Sequence, residues 1–113
     1  MYTGGTELFC EVPVMVRHIV SWNYKDGLTE EEKRAHAEMM QTELNKLKQS
    51  LDGVLEVKVY ADLCASSNRD IMLDSLFESE ATLEAYQVHP EHQRLIRTVG
   101  ALLQDRACVD YLV

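Results

Sequence analysis

The stretch YQVHPEH, residues 86–92, decides how the second half of this chain folds. Pro90 suits the first turn of a helix, where its missing N–H costs nothing and its φ is already helical. From His92 onward, apolar residues recur at the three-and-four spacing of one buried helical face. That face comprises Leu95, Ile96, Val99, Leu102 and Leu103. The pattern predicts a helix that begins at Pro90 and turns His92 inward.

A buried histidine in the first turn of a helix has two reasons to stay neutral. The positive end of the helix dipole and the loss of water both disfavour the imidazolium. A neutral His92 could act as a general base, a hydrogen-bonding anchor or a ligand. It could equally be a packed residue satisfied by backbone or water. His89 is predicted to be the cap or pre-cap residue of this helix and to be more exposed.

Length and charge limit the classes of function. The chain has 113 residues and a formal net charge of −8, from 11 basic and 19 acidic residues. This length suits one domain with one core. An acidic chain without a basic, aromatic-rich patch is not expected to bind nucleic acid. Because no run approaches the roughly 18–20 apolar residues that cross a bilayer, and no signal peptide is recognisable, we expect a cytoplasmic protein without a membrane partner.

The cysteines and the paired histidines do not predict a metal site. Cys10, Cys64 and Cys108 are an odd number without CxxC spacing, which argues against a disulfide framework and a zinc knuckle. They are interpreted as reduced thiols. His89 and His92, with Glu91 between them, lack a clear third protein ligand. No metal and no cofactor are therefore expected.

Residues 1–13 are predicted to be a flexible N-terminal extension before a domain over residues 14–113. The segment contains Gly4-Gly5 and Pro13 and no sustained periodicity. Met15 stands where regular structure is predicted to begin, and we hypothesise that translation naturally starts there. The intact mass of the protein expressed from its native upstream region tests this hypothesis.

Residues 14–24 alternate between two faces, which predicts the first strand. One face carries Val14, Val16, His18, Val20, Trp22 and Tyr24, and the other carries Met15, Arg17, Ile19, Ser21 and Asn23. A capping box of Thr29 and Glu32 then starts a long helix that ends near Asp52-Gly53. Its buried stripe is Met40, Leu44, Leu47 and Leu51. His36, one turn before Met40, is expected to be solvent-facing or merely packed.

Three further strands and one short helix complete the predicted fold. Residues 54–63 form a strand with Leu55, Val57, Val59 and Ala61 on its apolar face. Residues 70–78 form a strand with Ile71, Leu73, Ser75 and Phe77 on one face and Met72, Asp74 and Leu76 on the other. Ser79 caps a short helix that carries Leu83 and Tyr86 and leads into the Pro90 helix. Residues 107–113 form the last strand.

The predicted order βαββαβ is that of an α+β, ferredoxin-like subunit with both helical connections on one side of the sheet. The other side carries the apolar residues Met15, Ile19, Met72 and Leu76. One broad apolar patch is not expected to stay exposed to water. A second copy of the chain would cover it, so the sequence predicts a homodimer.

Over about residues 15–113 the chain resembles the stress-responsive dimeric α/β-barrel (Dabb) family. In the first half the matching segments are VRHIV (16–20), KDGLT (25–29) and GVL (53–55). In the second half they are FES (77–79), LEAYQ (83–87), HPEH (89–92) and VDY (109–111). Each segment alone is weak, but together they are specific.

The resemblance implies that two ferredoxin-like subunits form a dimeric α/β barrel, with a cavity between sheet and helices in each subunit. Most members have no known biochemical function, some are associated with stress responses, and a few plant members cyclise linear polyketides. The resemblance also directs the His18 face of the first strand toward the cavity. The expected ligand-binding residues are His18, Val20, Trp22, Ile71, Leu73, Tyr86, His89 and His92.

In the cyclase-type members the working groups are the second histidine of HPxH, a tyrosine before it, and a histidine on the third strand. The first two match His92 and Tyr86, which are the candidate catalytic residues. The third falls at Ile71, and this departure counts against cyclisation. Abstracting a proton next to a carbonyl also needs a group that stabilises the enolate, a role left to Tyr86 and His18.

The sequence therefore favours a Dabb protein that binds a small, mainly apolar molecule. One alternative is a polyketide cyclase-like or isomerase-like lyase with His92 as base and Tyr86 as hydrogen-bond donor. A related alternative is a cofactor-free monooxygenase of the same barrel class, although no residue here marks oxygen chemistry. The last is a non-catalytic dimeric scaffold or stress protein whose cavity is filled by its own side chains.

Overall fold

The computed structural model describes residues 14–113 as one four-stranded sheet with three helices. The elements are β1 (Val16–Tyr24), α1 (Glu30–Ser50), β2 (Val54–Tyr60), β3 (Ile71–Phe77), α2 (Glu80–Val88), α3 (Pro90–Gly100) and β4 (Leu103–Leu112). The sheet is antiparallel with the order β2-β3-β1-β4. This is the predicted α+β, ferredoxin-like arrangement, with the second helical connection divided at His89. The predicted extension over residues 1–13 lies outside the described residues.

One face of the sheet packs against the helices and forms the core. The predicted alternation of β1 is confirmed, since Val16, Val20 and Tyr24 are at most 5% exposed. On β3 the residues Ile71, Leu73 and Phe77 are buried on the same side. The helices contribute the buried side chains Ala37, Met40, Leu44, Leu47, Leu83, Tyr86 and Val99. No helix within residues 14–113 is long and apolar enough to cross a membrane.

The predicted capping box starts α1. The Thr29 hydroxyl accepts the Glu32 N–H at 3.0 Å, and the Glu32 carboxylate accepts the Thr29 N–H at 2.8 Å. After α1 ends, Gly53 adopts a φ of +84°, and a β-carbon there would lie 2.4 Å from the Thr82 side chain. Gly53 is therefore needed both for the backbone conformation and for the close approach of α2.

The predicted apolar face of β2 is wrong at Leu55, which is 40% exposed. Val54 lies opposite Phe77 while Glu56 lies opposite Leu76, so Leu55 is an extra residue in the ladder. A bulge of this kind shifts the alternation by one position, so Val54 points into the core in place of Leu55, while Val57 is buried as predicted. The strand also ends at Tyr60 rather than continuing to residue 63.

The edge of β2 is partly covered by Gln41 of α1. The Gln41 amide donates to the Val57 carbonyl at 3.1 Å and accepts the Val59 N–H at 2.7 Å. A single side chain thus bonds both kinds of backbone group on a strand that, within the described part of the chain, pairs only with β3.

The predicted extension of the Pro90 helix to Leu103 is wrong, because α3 ends at Gly100 and Leu103 opens β4. β4 therefore starts four residues earlier than the predicted residue 107. Its first part breaks strand alternation, with a register shift opposite Ser21 and Asn23 and a φ of +56° at Asp105. Irregular pairing hides a strand from a period-two pattern.

The outer face of the sheet mixes apolar and charged groups. Ile19 and Met72 are half-buried, while Val109 and Tyr111 of β4 are 61% and 48% exposed. Arg17 on the same face donates to Asp74 at 2.7 Å and lies 3.5 Å from Glu56. The predicted apolar patch is therefore present, but it carries an ion pair that alternation alone did not reveal.

Candidate functional site

A cavity of about 470 Å³ lies between the helix-facing side of the sheet and the helices α1 and α3. Six of the eight predicted ligand-binding residues line it, namely His18, Val20, Trp22, Leu73, Tyr86 and His92. The additional apolar wall consists of Met40, Leu44, Leu95, Ile96, Val99 and Leu103. Ile96 was expected to be buried but is 47% exposed, because it borders the cavity instead of packing against a neighbour.

The other two predicted ligand-binding residues do not belong to the cavity wall. Ile71 is fully buried in the core behind it. His89 caps α3, and its Nδ1 accepts the Glu91 N–H at 3.1 Å. Its ring is therefore occupied with the backbone, as the predicted capping position implies.

His92 is oriented by the turn between α2 and α3. Its Nδ1 lies 3.2 Å from the carbonyl oxygen of Gln87. Because a carbonyl only accepts, Nδ1 carries the proton, and Nε2 of the neutral ring is left as the acceptor. Burial lowers the pKa of His92 from its ordinary value of 6.5, against a smaller opposing effect of the Gln87 bond. The neutral form predicted from the sequence is thus favoured at neutral pH.

Tyr86 has a buried hydroxyl that stays unpaired within residues 14–113. Its ring packs against Phe77 and His92, with centroid separations of 4.9 and 4.2 Å. The side chain is only 2% exposed, and its oxygen has no hydrogen-bond partner among residues 14–113. Burial raises the pKa of this hydroxyl, so the group stays protonated and available as a donor.

His18 is paired with an acidic residue that the sequence analysis missed. His18 of β1 lies directly opposite Asp110 of β4, and its Nδ1 donates to the Asp110 carboxylate at 2.5 Å. The carboxylate therefore orients the ring and leaves Nε2 as the acceptor of the neutral form. The signal was available, because Asp110 lies in the VDY segment and the fold pairs its first and last strands.

Cys108 lies beside this pair. Its sulfur is 3.8 Å from His18 Nδ1 and 3.6 Å from Asp110 Oδ1. Burial and the neighbouring carboxylate raise the pKa of its thiol. A thiol held in its protonated form is a poor nucleophile.

His36 is packed, one of the two environments expected for it, and it lies behind the cavity wall next to Val99. It is 4% exposed; its Nε2 donates to the Val99 carbonyl at 2.9 Å, and its Nδ1 lies 3.0 Å from the Tyr24 hydroxyl. The bond to Val99 ties α1 to the last turn of α3. Burial and Asp70 raise the pKa of Tyr24 to about 12.

The site therefore combines an apolar wall with polar residues, which include Gln93, Gln104, Asp105 and Arg106 besides the two histidines and Tyr86. Tyr86 offers a donor, and His92 and His18 offer ring nitrogens within the same cavity. Such a set can bind a carbonyl or hydroxyl group, and a neutral imidazole beside a protonated phenol can also take a proton and stabilise a developing oxyanion.

The fold and this cavity define an α+β, ferredoxin-like protein with a small-molecule-sized pocket. The model of the stress responsive A/B barrel domain (Dabb) family matches residues 16–113, so the chain belongs to that family. The resemblance stated from sequence is thereby confirmed. No curated protein gives a significant sequence match to this chain.

Solved structures share the fold over most of their length. A dimeric ferredoxin-like protein of unknown function from Bacteroides fragilis is 26% identical, with a TM-score of 0.77 and coverage of 88% of this chain and 96% of its own. A Dabb family protein from Mesorhizobium loti is 17% identical, with a TM-score of 0.69 and coverages of 88% and 97%. The hydroxynitrile lyase of Passiflora edulis is 19% identical, with a TM-score of 0.72 and coverages of 89% and 94%.

Proposed function

We propose that this Dabb protein is a homodimer that binds a small, mainly apolar molecule carrying one hydrogen-bond acceptor. The observation that carries the proposal is the buried hydroxyl of Tyr86, a cavity-lining residue, which has no hydrogen-bond partner among residues 14–113. A buried hydroxyl without a hydrogen bond costs about 1–3 kcal/mol. An acceptor atom of the ligand would remove that cost.

The size and lining of the cavity support this ligand class. About 470 Å³ falls within the range of roughly 300–1,000 Å³ that is typical of small-molecule sites. Apolar side chains from α1, α3 and the sheet would enclose the body of the ligand. His92 Nε2 would accept from a hydroxyl of the ligand, which adds a second point of orientation.

A lyase-type activity is the second candidate, favoured by the pairing of His18 with Asp110. Ile71 removes the third-strand histidine of the cyclase-type members, but the carboxylate-oriented His18 supplies another polar group to the cavity. His92 would act as the base and Tyr86 would stabilise the oxyanion. The Passiflora protein is a lyase on this fold, although its low identity carries over the fold alone.

The proposed dimer would form through the outer face of the sheet, as the sequence predicts. Val109 and Tyr111 are exposed there beside Ile19 and Met72. The related proteins from Bacteroides fragilis and Thermobifida fusca are described as dimeric.

A cytoplasmic location is proposed as well, because an odd number of cysteines without CxxC spacing is typical of reduced thiols.

Native mass spectrometry of the freshly purified protein tests both parts of the proposal. We expect twice the subunit mass together with a reproducible small adduct. The adduct should be lost from Tyr86→Phe and from His92→Gln, and retained by His89→Asn, a matched control that keeps a capping side chain outside the cavity.

Fluorescence provides a second measurement that needs no known ligand. The chain contains one tryptophan, Trp22, and it lies in the cavity wall. Titration with the apolar dye anilinonaphthalene sulfonate should show energy transfer from Trp22, with weaker binding in His92→Gln than in His89→Asn. Equal binding of dye and adduct by all variants would exclude Tyr86 and His92 from the binding site. A dimer with neither an adduct nor energy transfer from Trp22 would favour the remaining alternative, a dimeric scaffold.

A further inference from the structure

Three potential metal-binding side chains converge where β1 pairs with β4. Cys108 and Asp110 are two residues apart on β4 and therefore share a face, and His18 stands directly opposite Asp110. The three ligand atoms, His18 Nδ1, Cys108 Sγ and Asp110 Oδ1, lie within 4.8 Å of one another. The cluster is distinct from the HPEH segment that the sequence analysis weighed for metal.

A nucleophilic role for Cys108 does not fit this geometry. In a nucleophile–histidine–carboxylate triad, one ring nitrogen faces the nucleophile and the other faces the carboxylate. Here both Cys108 and Asp110 approach the same atom, Nδ1 of His18. His18 cannot be oriented by Asp110 through that nitrogen and use it to accept the proton of Cys108 as well.

Convergence on one point is instead the arrangement that a metal ion requires. We propose that His18 Nδ1, Cys108 Sγ and Asp110 Oδ1 form a binding site for a borderline-soft divalent cation, for which Zn²⁺ is the best match. Imidazole, thiolate and carboxylate are its three usual protein ligands. Cys108 and Asp110 are exposed in the described chain, so water can complete a four-coordinate shell.

The distances require only a small adjustment. Tetrahedral zinc bond lengths place a sulfur about 3.6 Å from a nitrogen or oxygen ligand, and a nitrogen about 3.3 Å from an oxygen. The observed separations from Cys108 Sγ, 3.8 Å to Nδ1 and 3.6 Å to Oδ1, already match. Only Nδ1 and Oδ1, at 2.5 Å, must separate, and rotation of the Asp110 side chain achieves this because it is 39% exposed.

The charges of the ligands also suit a divalent ion. A thiolate and a carboxylate balance two positive charges, while His18 binds as the neutral ring. Binding through Nδ1 would move the remaining ring proton to Nε2, so His18 would change from acceptor to donor at that atom. The metal site stands independently of any cavity ligand, since its three ligands are present whether or not the cavity is filled.

Titration with Co²⁺, and then with Zn²⁺, tests the site in the full chain. The parent protein carries Cys10→Ser and Cys64→Ser, which leave Cys108 as the sole thiol. We expect one Co²⁺ per chain with a thiolate-to-cobalt charge-transfer band and the intense visible absorption of tetrahedral Co²⁺. Zn²⁺ should displace the cobalt, and isothermal titration calorimetry should give the same stoichiometry.

Two variants, made separately in the parent protein, decide the assignment. Cys108→Ser should abolish the charge-transfer band, and Asp110→Asn should weaken Zn²⁺ binding at least ~10-fold, since even indirect partners of a metal contribute that much. Circular dichroism checks that both variants fold. An absent band in the parent protein, or unchanged Zn²⁺ affinity in folded Asp110→Asn and Cys108→Ser, would overturn the proposal. Neither result would bear on adduct loss in His92→Gln.

Discussion

One tyrosine–histidine pair lines the cavity and another lies behind its wall, and their hydrogen bonding is opposite. Behind the wall, the Tyr24 hydroxyl lies within bonding distance of both Lys33 O and His36, and His36 bonds Val99. In the lining pair, His92 bonds only the Gln87 backbone and the Tyr86 hydroxyl has no partner among residues 14–113. We call the first pair, Tyr24 and His36, closed because its polar groups bond each other and the backbone. We call the second pair, Tyr86 and His92, open because its hydroxyl is unpaired.

The difference shows where a ligand can form a new hydrogen bond with the protein. A closed network offers no free donor, so a bound molecule could only replace bonds that already exist. An open donor at the wall of a cavity offers a new bond. Burial of a tyrosine and a histidine therefore does not mark a site by itself; the unpaired atom does.

The closed pair should dominate stability. His36→Phe keeps the ring volume but leaves the buried Val99 carbonyl without a donor and unties α1 from α3. We expect the free energy of unfolding to fall by about 2–4 kcal/mol in urea denaturation. His92→Phe is the matched control and should cost clearly less, because its ring is only half-buried. Equal losses of unfolding free energy in the two variants would mean that the two pairs contribute equally to stability.

Removing the hydroxyl of Tyr24 and that of Tyr86 should change the free energy of unfolding differently. Tyr24→Phe removes the hydroxyl that donates to Lys33 O or to His36, and should lower the free energy of unfolding by about 1–2 kcal/mol. Tyr86→Phe removes an unpaired buried hydroxyl and should leave stability unchanged or raise it by up to about 1 kcal/mol. Thermal and urea unfolding of the purified variants give both values. A loss in Tyr86→Phe as large as that in Tyr24→Phe would mean that the Tyr86 hydroxyl is bonded after all.

Dye binding should separate the same two tyrosines in the reverse order. Tyr86→Phe should weaken anilinonaphthalene sulfonate at the cavity by about 3–10-fold, the effect of one hydrogen bond of about 1 kcal/mol. Tyr24→Phe should bind it normally. Energy transfer from Trp22 measures both, and equal affinities would argue against contact of Tyr86 with the ligand.

The smallest effect should appear in the pH dependence of stability. Since burial lowers the pKa of folded His92 below its ordinary value of 6.5, the unfolded chain takes up the proton first as the pH falls. Its contribution to stability is therefore complete above about pH 6.5 and declines as the pH drops toward the folded pKa. His92→Gln should reduce this slope in urea unfolding between pH 7.5 and 5, and an unchanged slope in that variant would contradict the lowered pKa of His92.

The fold could be predicted from sequence wherever the signal was local. The alternation of β1 and β3, the Thr29–Glu32 box and the Pro90 helix start each depend on neighbouring residues, and each is confirmed. The errors at Leu55 and at the start of β4 share one cause. A bulge inserts or displaces a residue, and a search for strict alternation of apolar and polar residues does not detect this.

The candidate site was predictable only in part, for a related reason. His18, Tyr86 and His92 were found because a strand face, a helix face and a family motif point to them. Asp110 was missed because it contacts His18 only through the pairing of β1 with β4, and the two residues are 92 positions apart in the sequence. The role of His36 depends in the same way on Val99, 63 residues further along the chain.

The Gln41 amide has a consequence for how copies of this chain can meet. By bonding Val57 O and Val59 N, it behaves as a one-residue strand laid along the edge of β2. A foreign strand adding to that edge would first have to displace this side chain from its two backbone hydrogen bonds. Growth of the sheet beyond β2 is thereby discouraged by a side chain from a helix.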